Sequence, residues 1–305
     1  MQYYVVSRLL QSLVSLVGIV IIVFFMIRLT GNPADLYLPD DVSAEARQRF
    51  IDLHNLDAPL HVQFFNFVRD LLNFDLGTSI RQSRPAIDIV LEAYPNTLLL
   101  AAISLSIALG LAIVLGVWAA IRPTGAVDRI ISVLSLTGAS APNFWVALTL
   151  ISIFAVGLRW VPTSGIGTWE HWILPVAVMV LRPLGLLAQV VREAVIRALG
   201  APYIRTARAK GVPYRSILYV HALRNASLPI LTMAGNQAVA FINGSVVVET
   251  IFGFPGVGKL IIDAIVQRDF AVVQAAVIVT AAAIFLLNIL IDLAYALLDP
   301  RIRHA

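Results

Sequence analysis

The stretch YIRTARAKGVPYRSILYVHALRNASLP, Tyr203–Pro229, is basic, punctuated by Gly and Pro, and flanked by apolar runs long enough to cross a bilayer. Pro202 suits the first turn of a helix, and Gly211 followed by Pro213 suits its end. A short helix is therefore expected over Tyr203–Lys210, with a second opening at Pro213 and running through Arg224. A helix this short is marginal in water and needs something to pack on. Ala207 and Ala209 keep it slim enough for a groove on another protein, and Arg205, Arg208 and Lys210 would supply charge around that groove. Composition alone leaves a second reading equally open: a positively charged loop lying along lipid headgroups.

Outward from this loop the chain is membrane-like. Of its 305 residues 59% are hydrophobic and 13% charged, with mean hydropathy +0.86, against roughly 45–50% apolar and about 25% charged in soluble domains. Apolar runs of about 20 residues mark helical spans. Candidates lie at Leu9–Ile27, Thr97–Ile121, Ile130–Val156, Trp172–Val191, Leu228–Val248 and Ala271–Leu293. A large soluble core is excluded, because too little polar surface remains to cover so many apolar runs. Arg8 and the first run resemble a secretory signal, but the run is too long and no small-x-small site follows, so an uncleaved first span is expected.

Lys and Arg in the short loops set the orientation. Arg8; Arg122 and Arg129; Arg192, Arg197, Arg205, Arg208, Lys210, Arg215 and Arg224; and Arg301 and Arg303 fall on one side. The other side carries Arg159, Lys259 and Arg268. Both termini are therefore expected in the cytoplasm. The same rule accounts for the net charge of +4 without nucleic acid as a partner. The long segment 30–95 falls outside, with more Asp and Glu than Arg and no Lys. Helix-spaced apolar residues, Phe64, Phe67, Val68 and Leu71 among them, predict helices over Val42–Leu53 and Leu60–Phe74, the first capped by Ser43.

Ion-coupled carriers need ionisable groups inside the bilayer. Spans one, two, three and five carry none in their interiors; Asp292 lies near the end of span six, and Arg182 alone sits near mid-membrane. Arg182 either pairs with a carbonyl or snorkels, or lines a path and meets an anionic group such as a peptide carboxylate. Asn236, Gln237, Asn243 and Asn288 either line a cavity or serve as interhelical hydrogen-bond glue. The chain has no cysteine, so disulfides and thiolate chemistry are excluded. The histidines, His54, His61, His171, His221 and His304, form no metal or nucleophile motif. Gly253–Lys259 matches G-x-x-x-x-G-K, but Leu260 stands where the Mg²⁺-binding hydroxyl belongs and Pro255 removes an amide, so a rigid external turn before a helix near Leu260–Val266 is expected instead.

Tyr203, Arg205, Thr206, Ala207, Arg208, Ala209, Lys210 and Gly211, with His221, Ala222, Leu223, Arg224, Asn225, Ala226 and Pro229, resemble the EAA loop of binding-protein-dependent ABC importers in the dipeptide/oligopeptide/nickel permease family. Where the general loop has Glu-Ala-Ala, this chain has Arg205, Thr206 and Ala207, a departure that points to the peptide branch. Gly31-Asn32-Pro33, Leu56-Asp57-Ala58-Pro59 with Gln63-Phe64, Leu76-Gly77 with Pro85, and Pro95-Asn96-Thr97 extend the resemblance. So do Pro142 with Phe144-Trp145, Leu174-Pro175, Val248–Phe252 with Pro255-Gly256 and Gly258, and Asp299-Pro300-Arg301.

The resemblance implies an all-α integral membrane protein with the type I ABC importer permease fold and six transmembrane helices. It implies a first helix in 1–29, a helical extracytoplasmic loop in 30–95, and a core permease domain in 96–305 whose coupling loop occupies 198–226. It further implies a multi-pass subunit of a bacterial inner membrane, partnered by a sister permease, two cytoplasmic ATPases and an extracytoplasmic solute-binding protein. ATP and Mg²⁺ would sit on the ATPases, and this chain would be non-catalytic. Tyr203, Arg205–Gly211, His221, Arg224 and Asn225 would contact an ATPase. Arg182, Asn236, Gln237 and Asn243 remain candidates for the substrate path. A nickel, metallophore or opine importer of the same family is the alternative, and an ion-coupled secondary carrier the alternative from another class.

Overall fold

The computed structural model describes residues 2–29, 42–53 and 57–298. The Gly31-Asn32-Pro33 element, His54, Leu56 and the end from Asp299 through Arg301, Arg303 and His304 lie outside them. The described residues are helical throughout, apart from turns and one isolated bridge between Thr78 and Pro85. In chain order the helices are α1 (Gln2–Leu29), α2 (Ala44–Leu53), α3 (Leu60–Leu72), α4 (Ala86–Ile121), α5 (Ala126–Ser140), α6 (Asn143–Gly157), α7 (Glu170–Leu199), α8 (Pro202–Ala209), α9 (Tyr214–Ile251), α10 (Val257–Val266) and α11 (Phe270–Leu298).

Five of these are long and apolar enough to span a membrane: Arg8–Met26 within α1, then α4, α7, α9, and Phe270–Leu293 within α11. The expected continuous third span, Ile130–Val156, is instead two helices. Pro142 has no N–H to continue the ladder and disfavours a helical residue before it, so the chain breaks at Ala141 and α6 restarts with Pro142 in extended geometry. All five spanning helices are longer than their apolar windows, and two start more than ten residues ahead of them. α4 begins at Ala86 and runs through Pro95 rather than opening there. α9 begins at Tyr214, passes through π-helical turns at Ile217–Ala222 and absorbs the helix expected to end at Arg224.

The chain forms two compact bodies. The first comprises Thr97–Phe254 and the end of α11. Here α7 packs along α5, α6 and α9. Val117 and Ala120 of α4 meet Val191, Ala194 and Val195 of α7 and Leu218, Ala226 and Ile230 of α9 in one apolar cluster. The backbones approach closely where glycine permits it. A Cβ on Gly185 would lie 2.4 Å from the Ser135 nitrogen, and one on Gly116 would lie 2.6 Å from the Ala188 oxygen.

The longer α9 also takes in Glu249, one residue beyond the apolar window that ends at Val248. Glu249 sits in the last turn of α9, so the interior of the span carries no carboxylate; it is fully buried and accepts a 2.8 Å hydrogen bond from the Thr97 hydroxyl. A buried carboxylate that loses a donor costs about 1–3 kcal/mol. Thr97→Val, nearly isosteric, is accordingly expected to lower the melting temperature of the purified protein, and an unchanged melt would show the bond to be dispensable.

The second body comprises Gln2–Asn96 and Pro255–Ile289. Phe24 of α1 stacks near Phe67 and meets Phe64 edge-on, with centroids 5.6 and 5.1 Å away, which seats α3 on α1. Gln63 closes the turn before α3 by donating to the Ala58 carbonyl. The segment before α4 is tied to α11 by a buried 2.5 Å hydrogen bond from the Ser79 hydroxyl to Asp269, whose other carboxylate oxygen faces the Val272 amide at the start of α11. α2 begins as expected, its Ala46 amide donating to the Ser43 hydroxyl.

The turn at Gly253 is tight and specific. Gly253 takes φ +60, and the Phe254 and Gly253 amides return to the carbonyls of Glu249 and Thr250, the two bonds of a Schellman ending. Helix α10 follows, and Lys259 pairs with Asp263 one turn on.

Candidate functional site

Helix α8 occupies Pro202–Ala209, with Pro202 at its first position. Its end is closed as the sequence predicts: the Val212 amide donates to the Ala207 carbonyl at 3.1 Å and the Gly211 amide to the Arg208 carbonyl at 3.0 Å. That is again a Schellman motif, which requires a left-handed residue, and Gly211 has φ +74. Ile204 is the one fully buried residue of α8; Tyr203, Arg205, Thr206, Arg208, Ala209, Lys210 and Gly211 are exposed and Ala207 is half-buried. One apolar anchor, with Ala207 partly covered beside it, holds the helix to its own chain, and the rest of its surface is exposed.

The second half of the loop lies alongside. His221 is half-buried, and its carbonyl accepts from the Asn225 amide group at 2.7 Å. Arg224 and Asn225 are exposed. Tyr203 and Asn225 share an open groove of about 400 Å³ with Arg197 and Pro229. Not every cation of this region is available. Arg192 is held by Asp128 at the start of α5, with contacts of 2.6 and 3.0 Å. The Thr124 amide, and after it Arg192, hold the Asp128 carboxyl below the usual carboxylate range. The pair pins the start of α5 to α7.

Deeper in the same body lies a cavity of about 380 Å³. Its wall brings together Arg182 and Gln237, two of the four residues predicted for the path, with Ser135 and Asn143, which the sequence did not single out. Asn143 directly follows the break at Pro142, and Ser135 sits at the close crossing with Gly185, so both owe their place to tertiary features. Asn236 and Asn243 are exposed on α9, outside this wall.

A chain built from long apolar helices, with a short capped helix in a basic loop, is a multi-pass membrane protein. Residues 112–304 match the family described as binding-protein-dependent transport system inner membrane component, and the chain belongs to that family. It is 37% identical to the oligopeptide transport system permease protein AppB of Bacillus subtilis (strain 168), across all of both chains. It is 35% identical to the glutathione transport system permease protein GsiC of Salmonella choleraesuis (strain SC-B67), and 33% identical to GsiC of Escherichia coli O6:H1, each over 99% of both chains. It is a permease of the dipeptide/oligopeptide type.

Proposed function

We propose that this chain forms one half of the translocation path of an ATP-driven importer of di- and oligopeptides or similar small peptide-like solutes. The observation that carries this reading is α8: a helix with one buried anchor, a Schellman end at Gly211 and an otherwise exposed surface. Such a helix suits a groove on a cytoplasmic ATPase. Residues Tyr203, Arg205–Gly211, His221, Arg224 and Asn225 make that contact. ATP and Mg²⁺ are bound by two ATPases, and this chain contributes no catalytic group of its own. Closing of the ATPase pair moves α8, and through α7 and α9 it shifts the path between outward and inward access, a two-state element biased by nucleotide.

The remaining parts follow. The broken pair α5–α6 serves as the sixth crossing, which leaves both termini in the cytoplasm. Segment 30–95, with its helices α2 and α3, faces outward as the first contact for a loaded solute-binding protein, and residues 96–305 form the core with a sister permease. The names of the similar permeases favour peptides over nickel, metallophores or opines.

Purification of the tagged chain in mild detergent, with ATP hydrolysis assayed on the eluate, tests the reading. Co-purified ATPases and a sister permease are the expected result. A lone chain that transports without them would sink it.

A further inference from the structure

The cavity beside Arg182 holds an arrangement that packing does not explain. Helix α7 has 30 residues, about 45 Å at 1.5 Å per residue. Arg182 lies about 18 Å from one end and about 26 Å from the other on the same rise, well inside the span. Its side chain is exposed on the single chain and makes no hydrogen bond or ion pair within the described residues. The same is true of the bonding of Ser135, Asn143 and Gln237. All four converge on one wall, with Phe241, Pro183 and Ala240 as apolar neighbours.

An intramembrane Arg is costly against lipid, and such residues face a protein interior or an aqueous path and find a partner there. The Arg182 backbone packs closely on α5, where a Cβ on Gly138 would lie 3.0 Å from the Arg182 carbonyl. A guanidinium presents a planar fork of donors that matches a carboxylate in bidentate fashion. Two amide side chains and a hydroxyl beside it add donors for the same group and acceptors for an adjoining N–H. The volume is in the range of small-ligand sites.

Resting on the peptide-permease reading, we propose that this cavity is a carboxylate site on the path: Arg182 takes the free C-terminal carboxylate of a passing peptide, and Asn143, Gln237 and Ser135 orient it. The site is transient by construction. A single charge pair with neutral donors holds the group long enough to admit it and loosely enough to release it. The cavity thereby makes this subunit, and not only the binding protein, sensitive to a free carboxyl end.

A carboxylate can reach Arg182 from two sources, the peptide or an acidic side chain of the sister permease, and one experiment separates them. The complete complex with its binding protein is placed in proteoliposomes, and uptake of trialanine is compared with that of trialanine amide. Because the binding protein is unchanged, a change in the ratio of the two rates reports on the membrane subunits. Wild type favours trialanine. Arg182→Gln is expected to reduce that preference by about tenfold or more, the worth of a charge-assisted hydrogen bond. Arg182→Lys, which keeps the charge, retains most of it. Gln237→Leu weakens the preference by less.

An unchanged ratio in Arg182→Gln overturns the assignment, as does equal slowing of both peptides. Failure of Arg182→Gln to co-purify the sister permease places the carboxylate on that subunit and likewise overturns it. Wild type that imports neither of these nor any of a panel of di- and oligopeptides and glutathione overturns the peptide reading itself. Import by wild type with no effect of Arg182 overturns only the carboxylate site.

Discussion

Gly211→Arg is expected to abolish uptake while leaving the chain inserted and assembled. The reason lies in two separable properties of the position. Gly211 adopts φ +74, where an L-residue is strained by roughly 1–2 kcal/mol. A Cβ built there meets nothing within 4 Å, so the chain itself has room for a side chain. Gly211→Ala therefore suffers only the backbone strain, with the Schellman bonds of Ala207 and Arg208 still available. Gly211→Arg suffers the same strain and in addition projects a long charged side chain into the space beyond α8.

If an ATPase groove fills that space, the arginine variant keeps hydrolysing ATP but no longer passes the motion on, while the alanine variant imports at close to the normal rate. Uptake and ATP hydrolysis measured on the same vesicles distinguish the cases. Normal uptake by Gly211→Arg would remove α8 from the coupling path. Equal failure of both variants would assign the defect to the strained cap and not to a lost contact.

Gly211 also illustrates what was legible. The cap needs only one residue with no Cβ at the end of a Pro-initiated helix, and both signals sit within a few positions in the sequence. The helices α2 and α3, the turn at Gly253 and five of the spans were legible for similar reasons, since hydrophobic windows and turn residues are local. Their boundaries were not. A window of apolar residues ends where polarity begins, but a helix continues as long as its backbone bonds do, so α4 runs eleven residues ahead of Thr97 and α9 fourteen ahead of Leu228. That same blind spot hid Glu249, one residue past the window ending at Val248. Pro142 was visible as a residue, but the apolar stretch around it is long enough for a span, and length outweighed the break.

The site was half legible. Arg182 is conspicuous as a lone charge in an apolar run, whereas Asn143 and Ser135 are unremarkable polar residues until α5 and α6 fold against α7. The grouping of Pro255–Ile289 with Gln2–Asn96 is likewise a matter of distant segments meeting, to which no local pattern gives access.

Gly185→Val is expected to be the most disruptive single change in the first body. A Cβ at Gly185 would lie 2.4 and 2.5 Å from the Ser135 nitrogen and Cα, and 2.7 Å from the Leu134 carbonyl carbon. All three are backbone atoms of α5, so no rotamer change relieves the clash; the helices must separate. Membrane helices associate through this kind of close approach, with little hydrophobic force between them to compensate when it is lost. Overpacking of a tight interior costs about 1–3 kcal/mol and sometimes more. Gly185→Val should therefore lower the melting temperature of the detergent-purified protein sharply. Gly110→Ala is the control: its Cβ meets nothing within 4 Å, and replacing a helical Gly gains about 0.5–1 kcal/mol. Equal melts for the two variants would show that α5 and α7 yield freely. The contrast also bears on the cavity, because Ser135 stands at this crossing and Arg182 lies one turn before Gly185. A milder Gly185→Ala that still assembles should push Ser135 away from Arg182 and erode the preference for a free carboxylate, although neither side chain has been altered.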